Sequence, residues 1–166
     1  MQEGLFILRL VAGLLMAAHG SQKLFGWFGG YGLVGTGGFL EKLGFRPGPL
    51  FAGAAGLSEF IGGLLIAFGF LGPVGPALVL AVMIVAAVTV HWHNGLFAAT
   101  NGIEVPLLYS TSAVALTLSG SGSYSLDNLF GLTSFWTPGV SGATLLIGVV
   151  GAIANLAARR PAPVEV

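Results

Sequence analysis

Five stretches of the chain are almost continuously apolar and long enough, or nearly so, to cross a bilayer, which takes about 20 residues. They cover residues 4–25, 50–71, 74–93, 104–119 and 140–158. The fourth is the shortest, and Pro106 near its start suits a first helical turn. Gly72-Pro73 and Gly75-Pro76 predict a tight turn between the second and third stretches. The connection 26–49 is rich in glycine and aromatics, and 37–45 within it reads as a short amphipathic helix lying in the interface. Loop 94–103 is short and neutral. Segment 120–139 is polar and then aromatic, a surface loop against the membrane, where Trp136, like Trp27 and Trp92, suits an interfacial aromatic belt. The pattern predicts an all-α fold, a polytopic membrane helical bundle.

Composition agrees and narrows the function. Hydrophobic residues make up 55 % and charged residues 7 %, against roughly 25 % charged in a soluble domain. With no cysteine there is no disulfide, thiol catalysis, Fe–S cluster, thiolate zinc site or covalent c-type haem. A net charge of zero, with no basic run beyond Arg159-Arg160, makes nucleic acid a poor partner; the lipid bilayer is the expected one. The start has no basic region ahead of its apolar run and carries Arg9 inside it, which favours a retained first helix over a cleaved signal. Counting crossings puts Lys42, Arg46, Arg159 and Arg160 on one face, with Lys23 close by. Glu3 and Asp127 fall on the other, so the positive-inside rule predicts N-out and C-in.

Ionisable residues inside spans are expensive and need a reason. At 100° per residue, Arg9, His19 and Lys23 fall within an arc of about 80° on the first helix, beside the small residues Ala12, Gly13 and Gly20. Glu59 sits among Ala52, Ala55, Gly56, Gly62 and Gly63 on the second. These stripes predict that the two helices pack together. Glu59 lies ~13 Å from the face that carries the basic residues and His19 about one turn away, which predicts direct or one-water hydrogen-bond reach between them. A carboxylate at that depth needs a cationic neighbour to stay ionised, and Lys23 or protonated His19 can be that neighbour. This makes Glu59 the expected pivot of a cluster of His19, Lys23, Glu59, His91 and Glu104. His91 and His93 are about 200° apart on a helix, so at most one points inward. Three readings of the cluster stand open: hydrogen bonding that holds the bundle together, a pocket for a quinone or other small ligand, and a bound metal or bis-histidine haem b. No metal ligand set is assigned. Gly30, Gly32 and Gly35 match a dinucleotide-binding glycine pattern, but no strand precedes them, and a glycine-rich turn explains them better.

The run 14–32, LLMAAHGSQKLFGWFGGYG, resembles the first signature of the DoxX family of small membrane proteins. GLSEFIGGLLIAFG (56–69) is similar to that family's Glu-containing second helix, TVHWHNGLF (89–97) with Glu104-Val105-Pro106 to its third signature, and YSLD (124–127) to its usual end. The resemblance implies a four-helix membrane domain over 1–127, and His19, Lys23, Glu59, His91, Asn94, Gly95, Glu104 and Asp127 as shared positions. Residues 128–139 are then an interfacial loop, 140–158 an extra transmembrane helix beyond the family pattern, and 159–166 a tail expected to be disordered. Arg9, His93, Asn94 and Asp127 are further candidate site residues. His93 stands where family members often have proline.

By resemblance, the expected function is a membrane subunit of a quinone-linked redox assembly similar to thiosulfate:quinone oxidoreductase. Its cluster would take a quinone or a proton, and any enzymatic activity would be that of an oxidoreductase subunit needing other membrane subunits or a peripheral redox protein. The expected location is a bacterial or archaeal cytoplasmic membrane. The alternative is a non-enzymatic scaffold or assembly factor whose polar residues only hold the bundle.

Overall fold

The computed structural model describes residues 2–160, and the expected tail beyond Arg160 lies outside the described residues. The helices, in chain order, are α1 (Gln2–Phe25), α2 (Gly32–Lys42), α3 (Gly48–Phe68), α4 (Val74–Ala86), α5 (Glu104–Ser119), the single turn α6 (Leu126–Leu129) and α7 (Pro138–Ala157). There is no strand among the described residues. The third span does not end with α4: it runs on through a π-helical turn (Ala87–His91) and a 3-10 turn (Trp92–Asn94). Among the described residues four helices are long and apolar enough to cross a membrane, Gln2–Phe25, Gly48–Phe68, Val74–Asn94 and Pro138–Ala157. The chain is an integral membrane helical bundle. Helix α5 has 16 residues, about 24 Å of helix against a hydrocarbon core of about 30 Å. It ends at Gly120, whose φ of 73° leaves the helical region, and Arg9 then donates to the Ser121 carbonyl.

Lipid gives two apolar helices no hydrophobic reason to associate, so close backbone packing has to do it. Helices α1 and α3 form the most extensive pair in the bundle, and glycine makes it possible. A Cβ on Gly13 would lie 2.5 Å from both Gly63 O and Ala67 N, and one on Gly63 would lie 2.5 Å from Gly13 O and Ala17 N. The small-residue stripes therefore meet as expected. Around this seam, Met16, Ile66, Val79, Leu80, Met83, Ala113 and Leu116 make one core drawn from α1, α3, α4 and α5. Leu14, Leu15, Leu146, Ile147, Val150 and Ile153 face outward, as lipid contact demands.

Segment 37–45 does not form a separate surface helix. Helix α2 starts earlier, at Gly32, and packs on α3, with a Cβ on Gly37 only 2.8 Å from Pro49 N. Helix α7 packs on α4 and, less extensively, on α5. Its C-terminal end returns to the α2–α3 turn, where Arg160 N donates to Gly44 O at 2.7 Å and Arg159 Nε donates to the Leu43 carbonyl.

The opposite end of the bundle is closed by two buried charges. Arg9 is 3 % exposed and donates to the carbonyls of Ser121, Tyr124 and, at 3.4 Å, Ala67. Asp127 is fully buried and accepts from Leu71 N (2.9 Å), Gly72 N (2.7 Å) and Ser121 Oγ (2.7 Å). The carboxylate thus fixes the tight turn between α3 and α4. Gly72 there has φ 47° and lies under Trp136, whose Cγ would be 2.5 Å from a Cβ at 72. Trp136 is accordingly packed against the turn, in contrast with Trp27 and Trp92, which are exposed. Charge-assisted hydrogen bonds contribute about 1.5–3 kcal/mol each. Asp127→Ala is therefore expected to destabilise the bundle by about 3 kcal/mol or more in detergent thermal melts.

Candidate functional site

The end of the bundle away from Arg9 holds a cavity of about 400 Å³, within the ~300–1,000 Å³ range of small-ligand sites. Its polar lining includes His19 and Lys23 from α1, Glu59 from α3, Thr89 and His91 from the π turn, and Tyr109 from α5. Met16, Phe39, Leu40, Val82, Met83 and Val90 supply much of the apolar wall. The result is an apolar pocket with a few converging polar groups, the usual form of a small-molecule site.

Glu59 is 2 % exposed and Lys23 is 30 % exposed; their side chains meet at 2.5 Å. His19, expected within direct or one-water reach of Glu59, makes its own side-chain hydrogen bond elsewhere. Its Nδ1–H donates to Gln22 Oε1 at 3.2 Å, and Gln22 is oriented by its own Nε2–H, which donates to Phe28 O at 3.1 Å. The reason is reach: the lysine stem spans the turn between its own backbone and Glu59, whereas imidazole is short and finds a partner one turn along α1. His19 and Glu59 still line the same cavity, and the His19 ring stands edge-on to Tyr109, with centroids 6.1 Å apart at 89°.

His91 is the inward-facing one of the two C-terminal histidines, since it lines the cavity and His93 does not. Its Nδ1–H donates to Asn101 O at 2.8 Å. Both hydrogen bonds put a proton on Nδ1, so Nε2 is the acceptor in the neutral form of either ring. The π turn is what brings Thr89 and His91 round together, and such bulges are frequent at functional sites. Apolar periodicity gives no warning of it.

Not every predicted residue reaches the cavity. Glu104 is a correction: its carboxylate turns into the preceding loop and accepts from Ala98 N at 2.7 Å, because that loop folds back and leaves an amide within reach. Asn94 also serves the loop, donating to Val90 O (2.9 Å) and Asn101 O (3.3 Å). Arg9 and Asp127 belong to the clasp at the far end. Tyr109 and Thr89 line the cavity without having been expected there. Tyr109 lies five residues after Glu104 on no charged stripe, and the packing of α5 on α4 brings it in. Among the described residues no group of three or more His, Asp or Glu side chains could hold a metal ion.

The family model described as DoxX matches residues 4–92, which covers α1 to α4 and includes His19, Lys23, Glu59 and His91. No curated protein and no solved structure matches the chain.

Proposed function

The chain belongs to the DoxX family, and from that premise we propose that it is a membrane subunit of a quinone-linked redox assembly, with the α1–α3–α4–α5 cavity as its quinone headgroup site. The observation that carries this reading is the lining itself: an ion pair with a buried carboxylate, two imidazoles and a phenol set into an apolar wall. A quinone ring is flat and apolar, with two oxygens on opposite edges. Lys23 and Tyr109 can donate to those oxygens in the quinone, and the Nε2 atoms of His19 and His91 can accept from the hydroxyls of the quinol. Conversion of quinone to quinol takes two electrons and two protons. In this reading the electrons come from a redox partner chain, and the Lys23–Glu59 pair and the imidazoles hold the protons near the ring.

The basic residues Lys42, Arg46, Arg159 and Arg160 support a cytoplasmic placement for the end that carries the α2–α3 turn, with N-out and C-in, in a bacterial or archaeal cytoplasmic membrane. A second reading, a scaffold or assembly factor without a ligand, is favoured by one feature: the Lys23–Glu59 pair joins α1 to α3 and so has a structural use of its own. The two separate on extraction of the purified protein. A quinone recovered by mass spectrometry in near-stoichiometric amount, and lost from Glu59→Gln, supports the redox reading. A protein that retains no quinone and does not bind decylubiquinone supports the scaffold.

A further inference from the structure

A second cavity, of about 240 Å³, adjoins the first between α2, α3, α4 and α7. Leu40, Ala55, Val82 and Val85 line both, so these four side chains mark where the two cavities adjoin. Beyond this junction the walls are Phe45, Phe51, Ala81 and, on α7, Gly151 and Ala152, with Ser58 and Asn155 as the polar side chains. None of the ionisable side chains of the first cavity is present here.

We propose that this second cavity holds the hydrocarbon tail of the ligand whose headgroup occupies the first, so that α7 acts as a selectivity wall for an isoprenoid-tailed ring. The inference rests on the quinone reading and deepens it. A ring enclosed among Glu59, His91 and Tyr109 must leave its tail a way out, and a largely apolar space adjoining the polar one is placed to take it. Moving a tail from lipid into such a space gains little by itself, because lipid is as apolar as leucine. The passage therefore acts by shape: open, it admits a long tail; filled, it excludes one while leaving room for the ring. Helix α7 lies outside residues 4–92 matched by the family model, which makes this wall a feature of the present chain.

Gly151 offers a clean test, since a Cβ there meets nothing within 4 Å and a larger side chain can be added without a clash in the bundle. Gly151→Phe, and independently Ser58→Leu from the α3 wall, would be reconstituted in nanodiscs and titrated with a ubiquinone of one isoprene unit and one of four. The expected result is that the short quinone binds each variant within twofold of the unsubstituted chain, while the long one loses at least tenfold. If both variants melt normally and the long-to-short ratio stays unchanged, the tail does not run past α7 and the inference falls, with the headgroup site intact. If neither quinone binds the unsubstituted chain, the quinone reading falls first and this one with it.

Discussion

Gly63→Val should separate α1 from α3 and leave little folded protein at ambient temperature. The Cβ it adds would lie 2.5 Å from Ala17 N and Gly13 O, and both obstacles are backbone, which cannot rotate away as a side chain can. Overpacking with room to relax costs about 1–3 kcal/mol; against a rigid helix the cost is expected at or above the top of that range, enough to unfold a marginal bundle. Gly13→Val should do the same from the facing side, where Gly63 O and Ala67 N are the obstacles. The control is Gly142→Ala on α7, where a Cβ meets nothing within 4 Å; it should be neutral or stabilising by up to about 1 kcal/mol through helix propensity. Thermal melts followed by gel filtration read all three. A Gly63→Val protein that melts with the parent would refute the close seam as the main joint of the bundle.

The second large effect is an asymmetry. Breaking a buried pair by removing one partner costs about 3–5 kcal/mol when the remaining charge stays buried. Lys23→Met leaves exactly that situation in Glu59, whose side chain is 2 % exposed, whereas Glu59→Gln leaves a lysine that is already 30 % exposed and can extend toward the interface. Lys23→Met is therefore expected to destabilise by about 3 kcal/mol or more, and Glu59→Gln by about 1 kcal/mol. The double variant should recover part of the larger loss, giving a coupling of about 2 kcal/mol in the cycle. Equal losses from the two single variants, with no recovery in the double, would mean that the pair is not a buried interaction. Quinone binding should follow a different order: Glu59→Gln keeps the fold and loses the ligand.

Much of this arrangement was legible in the residues because membrane helices obey simple rules. Apolar length located the spans, and the stripes Gly13–Gly20 and Gly56–Gly63 announced which two helices would touch. Depth placed His19, Lys23, Glu59 and His91 at one end. Arg9 and Glu104 were harder to read for one physical reason: periodicity describes helices and not the loops between them. Arg9 had no visible partner because its acceptors are loop carbonyls at Ser121 and Tyr124. Glu104 was placed in the cluster because helix arithmetic does not know that loop 94–103 returns an amide to it. Depth offers Glu59 both His19 and Lys23 as neighbours, and side-chain length makes Lys23 the direct partner. The π turn at Ala87–His91 was invisible because a run of small and β-branched residues reads equally well as plain α-helix.

The central claim is that a quinone ring sits between Glu59, His19, His91 and Tyr109, and photoaffinity labelling tests it most directly. Membranes holding the intact chain would be illuminated with an azidoquinone, and the modified peptides mapped by mass spectrometry. The account predicts labelling confined to cavity-lining segments, around residues 16–23, 55–59, 82–91 and 105–109, competed away by unlabelled decylubiquinone and absent from Glu59→Gln. Labelling spread over the lipid-facing residues of α1 and α7, insensitive to competitor and unchanged in Glu59→Gln, would contradict it.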